Sequence, residues 1–109
     1  MTTLLQQRDL ARQRRRGQVY EETRRRLKEE LAELLPGQPV IVFGSLTRRG
    51  VFHDASDVDL ALEREPTGIS SGQLMSELTE RLGRPVDVIL LDRCRLRDRI
   101  RREGEVWTC

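Results

Sequence analysis

Residues 43–62 read Phe-Gly-Ser-Leu-Thr-Arg-Arg-Gly-Val-Phe-His-Asp-Ala-Ser-Asp-Val-Asp-Leu-Ala-Leu, and they carry the strongest structural signals of the chain. It begins at the end of the apolar run 40–43, whose length and composition suit a buried strand. It ends in residues 58–63, which alternate between apolar and other side chains with the period of a second strand. Between the two strands, residues 45–49 are predicted to form one helical turn, which Gly50 closes.

A long helix is predicted from about Thr3 to Leu35, because this segment contains no proline and a single glycine. Its second half carries an apolar face with helical spacing, made of Tyr20, Thr23, Leu27, Leu31 and Leu34. Residues 12–18 contain no apolar side chain. The segment could therefore be one helix or two stacked helices, and its first half is expected either to fray or to dock on another chain.

The rest of the chain contains further helix and strand signals. Ser70 and Gln73 form a capping-box pattern that predicts a second helix, which Gly83 ends. The later elements are a β-branched strand at 86–91, a short basic helix at 96–103 and a possible final strand at 105–108.

The length of 109 residues predicts one domain, 1–109. We divide it into a helical arm at 1–35, a core at 40–91 and a basic C-terminal segment at 92–109. An apolar fraction of 37% with four aromatic residues predicts a thin core. No apolar run approaches the roughly 20 residues that span a bilayer, and no secretory signal pattern is seen, so we expect a cytoplasmic protein with no membrane contact.

The net charge of +2 hides a segregation of charge along the chain. Residues 1–28 carry nine basic and three acidic side chains, residues 29–91 carry five and eleven, and residues 92–109 carry six and four. Divalent cations would bind in the acidic centre, and the basic segments could meet phosphates or an acidic partner. The arginines at 14–16 and 24–26 could equally form a solvated helix face.

Three aspartates are the candidate metal ligands. Asp57 and Asp59 lie two residues apart on the predicted second strand, so their carboxylates leave the same face, with alpha carbons about 6 to 7 Å apart. Mg²⁺ prefers one or two carboxylates completed by substrate phosphates, which suits this pair. Asp87 is the single charge of the third strand, so its carboxylate needs compensation, either from a metal or from an arginine in a structural pair.

The turn between the first two strands is the candidate phosphate site. Gly44 lets a phosphate approach the backbone, and Ser45 offers a hydroxyl and an amide at the start of a helical turn. Arg48 and Arg49 follow within reach to neutralise phosphate charge. Ser45 could instead act as a helix cap, which would not exclude phosphate binding.

These elements resemble a known family. The pairs Gly44-Ser45 and Arg49-Gly50, followed by the segments 56–60 and 84–88 with their three aspartates, are similar to the minimal nucleotidyltransferases of the DNA polymerase beta superfamily. The similarity covers roughly residues 27–108. It is fairly specific, because all three motifs occur in order on the expected strands.

The resemblance implies an α/β fold, in which helices pack on a small mixed sheet of three to four strands with a long N-terminal helix. It implies Mg²⁺-dependent transfer of a nucleoside monophosphate from ATP or another nucleoside triphosphate. Gly44 and Ser45 would bind the triphosphate, Asp57 and Asp59 would ligate the metal, and Asp87 would be a further ligand or the base. The interval between the Gly-Ser and Asp-x-Asp motifs is one residue longer than in many relatives, which leaves the roles of Arg48 and Arg49 open.

Minimal members of this family often work beside a helical HEPN toxin as its antitoxin, and the resemblance therefore implies a protein partner. The competing hypothesis is a binding module with the same fold that neutralises or scaffolds a partner by contact. Its support is the N-terminal helix with Leu4, Leu5 and Leu10, which could also mediate a homo-oligomer. Nucleic-acid binding through the arginines is weakly supported, because no aromatic side chains are interleaved with them.

Overall fold

The computed structural model describes Met1 and residues 3–109, and in this part of the chain three α-helices accompany a four-stranded sheet. Two short 3-10 turns, Gly44–Thr47 and Leu91–Arg93, follow strands directly. The α/β class, the mixed sheet and the long N-terminal helix predicted from the sequence are confirmed. The regular elements are α1 (Leu4–Leu34), β1 (Pro39–Phe43), β2 (Val58–Leu62), α2 (Ser71–Leu82), β3 (Val86–Leu90), α3 (Arg97–Glu103) and β4 (Glu105–Thr108).

The strands lie in the order β3-β2-β1-β4. Strand β1 pairs antiparallel with both β2 and β4, whereas β2 and β3 are parallel. A parallel pair needs a crossover connection, and α2 supplies it. In this register Phe43 at the end of β1 lies opposite Asp59 of β2, and Asp59 lies opposite Asp87 of β3.

The two faces of the sheet are covered unequally. The larger cluster of buried side chains joins the sheet to α1 and α2 and includes Val58, Leu60 and Leu62 of β2. The opposite face carries a smaller cluster, made of Ile41, Ala61, Leu91 and Ile100. Asp59 shares this second face with Ala61, because side chains alternate along a strand. The acidic residues therefore lie on the face with the lighter cover.

Helix α1 is continuous through the polar segment 12–18, which decides between the two arrangements that the sequence left open. Thr3 and Gln6 form a capping box at its start. Its buried positions begin only at Gly17, and every residue from Leu4 to Arg16 is exposed. At about 1.5 Å per residue, the 31-residue helix is about 46 Å long, which accounts for much of the longest molecular dimension of 56 Å.

Arg24 departs from the solvated helix face that the sequence allowed for residues 24–26. Its guanidinium lies 5.0 Å from the ring centre of Tyr20 and 4.9 Å from that of Trp107. It also donates hydrogen bonds to the carbonyl of Leu46 and to Glu105, both about 3 Å long. Cation–π contacts and charged hydrogen bonds favour this inward position. Arg24 thus ties α1 to β4 and to the turn after β1.

Helix α2 begins and ends as its sequence predicts. The Ser70 hydroxyl accepts from the backbone of Gln73 at 3.1 Å, and the Gln73 side chain returns a bond to the backbone of Ser70 at 3.2 Å. Gly83 follows the helix with φ 67°, the left-handed conformation that glycine tolerates. Although α1 is long, none of the helices in the described residues is both long and apolar enough to cross a membrane.

Candidate functional site

The centre of the candidate site is a pair of carboxylates on adjacent parallel strands. Asp59 of β2 and Asp87 of β3 occupy the same register position. Neighbouring strands lie about 4.8 Å apart, and side chains at one register position leave the same face of the sheet. Two carboxylates on that face are thus brought close together, although 28 positions separate them in the sequence.

Asp57, the third predicted acid, lies one residue before β2 begins, and its side chain is exposed. The strand begins at Val58, as the alternation pattern predicted, so Asp57 lies just before it and not within it. Asp57 still acts on the same group, because its charge is one of those that influence the Asp59 carboxyl. The Asp59 carboxyl thus lies within the influence of the charges of both Asp87 and Asp57.

The surroundings of Asp59 destabilise the ionised form of its carboxyl group. Burial raises the pKa of Asp59 above its usual range, and the nearby charges of Asp87 and then of Asp57 raise it further. Desolvation and like charges both disfavour the ionised form of a carboxyl group. A cation placed beside Asp59 would remove this cost.

The donor chemistry fits magnesium. Carboxylate oxygens are hard ligands, and Mg²⁺ commonly takes one or two of them while phosphates and waters complete its octahedron. Within Met1 and residues 3–109, no three acidic, histidine or cysteine side chains are arranged as a complete metal site. Such a cage is not what Mg²⁺ with a nucleotide requires. Asp57 and Asp59 would hold the metal beside Asp87, and phosphate oxygens would supply the remaining ligands.

Gly44 is packed directly against this cluster. Its φ is +73°, and a β-carbon added there would lie 2.5 Å from Oδ2 of Asp59. Both the conformation and the close approach exclude a side chain at this position. The backbone at Gly44 therefore borders the Asp59 carboxylate directly, which is the geometry needed for a ligand that spans the turn and this acid.

Ser45 follows in the 3-10 turn and is half-buried. The turn is closed by the hydroxyl of Thr47, which donates to the carbonyl of Gly44 at 2.7 Å, and by the Arg48 amide, which donates to the carbonyl of Ser45 at 3.0 Å. These bonds fix the turn with Ser45 on the wall of a cavity of about 680 Å³. Small-molecule sites in proteins have comparable volumes.

That cavity lies between the turn after β1 and helix α3. Its walls combine apolar and charged side chains with the glycine and hydroxyl groups of the turn. The lining residues are Phe43, Gly44, Ser45, Thr47, Arg48, Val51, Leu96, Arg99, Ile100 and Glu103. The cavity is therefore continuous with the turn that borders the acidic pair.

The structure separates the two arginines that the sequence placed together. Arg48 lines the cavity beside Ser45. The Arg49 side chain instead packs against α1, where it pairs with Glu21 and contacts Gly17. Its guanidinium carbon lies 6.0 Å from the centre of the Tyr20 ring. Of the two, Arg48 is the one placed beside the candidate phosphate turn, and Arg49 is engaged by the helix.

Arg84 has a supporting role that the sequence did not reveal by itself. Its guanidinium donates to the carbonyls of Ser56 at 2.8 Å and His53 at 3.2 Å, and it lies 4.8 Å from the ring centre of Phe52. These contacts fix the loop that leads into Asp57. The sequence shows that Arg84 directly precedes Pro85 and the strand with Asp87. It does not show the contact between Arg84 and the loop that contains His53 and Ser56.

Comparison with known proteins identifies a family and a related fold. The family described as "Polymerase beta, Nucleotidyltransferase" matches residues 26–109. A chain from a crystal structure of a toxin-antitoxin with AMP-PNP superposes with a TM-score of 0.59, at 24% identity, over 78% of this chain and 73% of that one. At this identity the likeness shows the fold alone. No curated protein matches the chain.

Proposed function

Because the chain belongs to the polymerase beta nucleotidyltransferase family, we propose that it transfers a nucleoside monophosphate, AMP from ATP, to a hydroxyl group of a partner protein. The observation that carries the proposal is the register pair of Asp59 and Asp87, with the backbone of Gly44 packed against Asp59. A half-buried carboxyl with a raised pKa beside a phosphate-type turn is the arrangement expected of a catalytic site.

In this proposal the side chains divide the work between binding and proton transfer. The Gly44 backbone and the Ser45 hydroxyl hold the triphosphate, and Arg48 neutralises part of its charge. When bound, magnesium would offset the charge that develops on the phosphate oxygens. Asp87 accepts the proton of the acceptor hydroxyl as its oxygen forms a bond to the α-phosphorus. The bond from that phosphorus to the bridging oxygen breaks, and pyrophosphate leaves.

We further propose that the partner is a HEPN-like toxin and that this chain is its antitoxin in the cytoplasm. Support comes from the toxin-antitoxin structure whose chain shares the fold. The chain also presents the first part of α1, residues 4–16, which is exposed throughout and is called the exposed arm below. An exposed arm of this length is suited to hold a protein acceptor beside the site.

The test measures transfer of label to the protein that the neighbouring gene encodes. The ATP is labelled either at the α-phosphate or at the γ-phosphate. The expected result is Mg²⁺-dependent labelling from α-labelled ATP alone, lost in Asp59→Ala. Labelling from γ-labelled ATP would indicate a kinase and contradict the proposal. Transfer that survives Asp57→Ala combined with Asp59→Ala would also contradict it.

The second candidate function is neutralisation of a partner by contact, with little or no catalysis. It is favoured by the exposed arm, where Leu4 and Leu5 retain 75% and 71% exposure. The variant lacking residues 1–16 separates the two functions. If the chain neutralises its partner by contact, this truncation should abolish neutralisation of the partner and Asp59→Ala should retain it. If the chain modifies its partner enzymatically, Asp59→Ala should abolish neutralisation.

A further inference from the structure

The cavity beside the phosphate turn has a second wall that the sequence motifs do not include. Gly44, Ser45 and Arg48 line one side, and Arg99 and Glu103 of α3 line the other. A triphosphate bound at Gly44 and Ser45 would extend into this cavity. Its outer phosphates would therefore meet the side chains of α3.

Helix α3 is held firmly enough for its side chains to define that wall. Ile100 is buried, with 7% exposure, in the cluster on the lightly covered face of the sheet. Gly104, which ends the helix, is packed so closely against Ile41 of β1 that a β-carbon would overlap it. Arg99 directly precedes Ile100, so its backbone position relative to β1 and the turn is fixed by these contacts.

The charges of the cavity favour an anion once one ion pair is released. Its charged lining residues are Arg48, Arg99 and Glu103. Nε of Arg99 donates to Glu103 at 3.1 Å, and the two side chains retain 64% and 58% exposure. Exposed pairs of this spacing are weak, because water and salt screen them. A phosphate can therefore compete with Glu103 for Arg99.

We propose that Arg99 binds the outer phosphates of the nucleotide from the α3 wall, opposite Gly44, Ser45 and Arg48, and that Glu103 holds the guanidinium until the nucleotide arrives. This inference rests on the proposed nucleotidyltransferase function and assigns the cation that holds the leaving pyrophosphate. A planar guanidinium suits this role, since it can donate two parallel hydrogen bonds to phosphate oxygens.

The experiment measures binding of ATP, inorganic pyrophosphate and adenosine to the full chain by calorimetry in the presence of Mg²⁺. Arg99→Ala is compared with Arg102→Ala, which removes the same charge from an exposed position of α3 outside the cavity lining. We expect Arg99→Ala to weaken ATP and pyrophosphate about tenfold, as for the loss of one charged hydrogen-bonding group, and Arg102→Ala to have little effect. Glu103→Gln is expected to tighten pyrophosphate binding, because it removes the competing charge.

Each other outcome overturns the inference. Equal pyrophosphate affinity in Arg99→Ala and the wild type would remove the phosphate role of Arg99. A loss confined to ATP or adenosine would show that α3 contacts the nucleoside instead. Weaker pyrophosphate binding in Glu103→Gln would show that Glu103 supports the site rather than competes within it. A wild-type chain that binds neither ATP nor pyrophosphate would overturn the proposed function together with this inference, whereas the other outcomes leave that function intact.

Discussion

Asp59 and Asp87 lie side by side on the parallel strands β2 and β3, and the partial burial of Asp59 makes their proximity costly without a cation. Main-chain pairing fixes the two alpha carbons at neighbouring positions of the sheet, so the two side chains start from adjacent points on one face. The backbone of Gly44 is packed against the Asp59 carboxylate. The fold thus concentrates negative charge at a position that the turn after β1 also borders.

The first prediction concerns the charge coupling within this pair. Asp87→Asn should lower the pKa of the Asp59 carboxyl toward the usual aspartate range, because it removes the larger of the two like charges acting on that group. A shift should remain, since burial is the leading cause. Carbon-detected NMR titration of the metal-free protein measures it. Asp92→Asn, at an exposed position just after β3, is the control and should leave this pKa unchanged; an unchanged Asp59 pKa in Asp87→Asn would contradict the pairing.

The second prediction concerns stability and pH. The pKa of Asp59 is higher in the folded chain than in the unfolded one, so the folded state binds more protons between these two values and its stability falls as pH rises through that window. Above the window the full cost is present. Asp59→Asn should therefore raise the Tm of the metal-free protein at neutral pH, and the gain should vanish below about pH 3, where the carboxyl is protonated in both states. A Tm that falls in Asp59→Asn at neutral pH would be inconsistent with the electrostatic cost.

The third prediction concerns Gly44. Gly44→Ala places a methyl group against the Asp59 carboxylate in a left-handed backbone, so ATP binding should weaken at least about tenfold. Gly68→Ala is a matched control, because Gly68 has φ +86° but no atom within 4 Å of its added β-carbon. Both variants should lose about 1 kcal/mol or more of unfolding free energy from backbone strain. If the two variants bind ATP equally well, the close approach at Gly44 has no functional role.

The fourth prediction concerns the loop before Asp57. Arg84→Ala leaves the carbonyls of Ser56 and His53 without their charged donor, which should cost about 2 kcal/mol in unfolding free energy. Transfer activity should also fall, because the loop positions Asp57. Chemical denaturation and the transfer assay measure the two effects. Arg64→Ala, at an exposed position just after β2, should change neither; an Arg84→Ala variant as stable as the wild type would contradict the anchoring role.

The sequence predicted those parts of the fold that depend on local patterns. Period-two alternation in residues 58–62, the capping box at Ser70 and the apolar helical face with Leu27 and Leu31 all correspond to observed elements. Strand boundaries differed by one residue, as at Leu91, which begins a 3-10 turn instead of ending β3. Boundaries are set by the competition between strand pairing and turns, which a local pattern does not resolve.

The site was predictable only as a set of residue types. That Asp59 and Asp87 would share a register position depends on how β2 and β3 align, and no local signal encodes this alignment. The different environments of Arg48 and Arg49 follow from the packing of α1, which holds Arg49 beside Gly17. The opposing wall of the cavity comes from α3, which was predictable as a basic helix but not in its location.

In the proposed function, Asp59 and Asp87 act as one unit in nucleotidyl transfer. The most direct test is the rate of α-phosphate label transfer from ATP by the wild type, Asp59→Asn, Asp87→Asn and the double variant, with Asp92→Asn as the control. Each single substitution should lower the rate by about 10³-fold or more, and the double variant should be hardly slower than either single one, as for residues that act together. A rate near that of the wild type in either single variant would contradict the account.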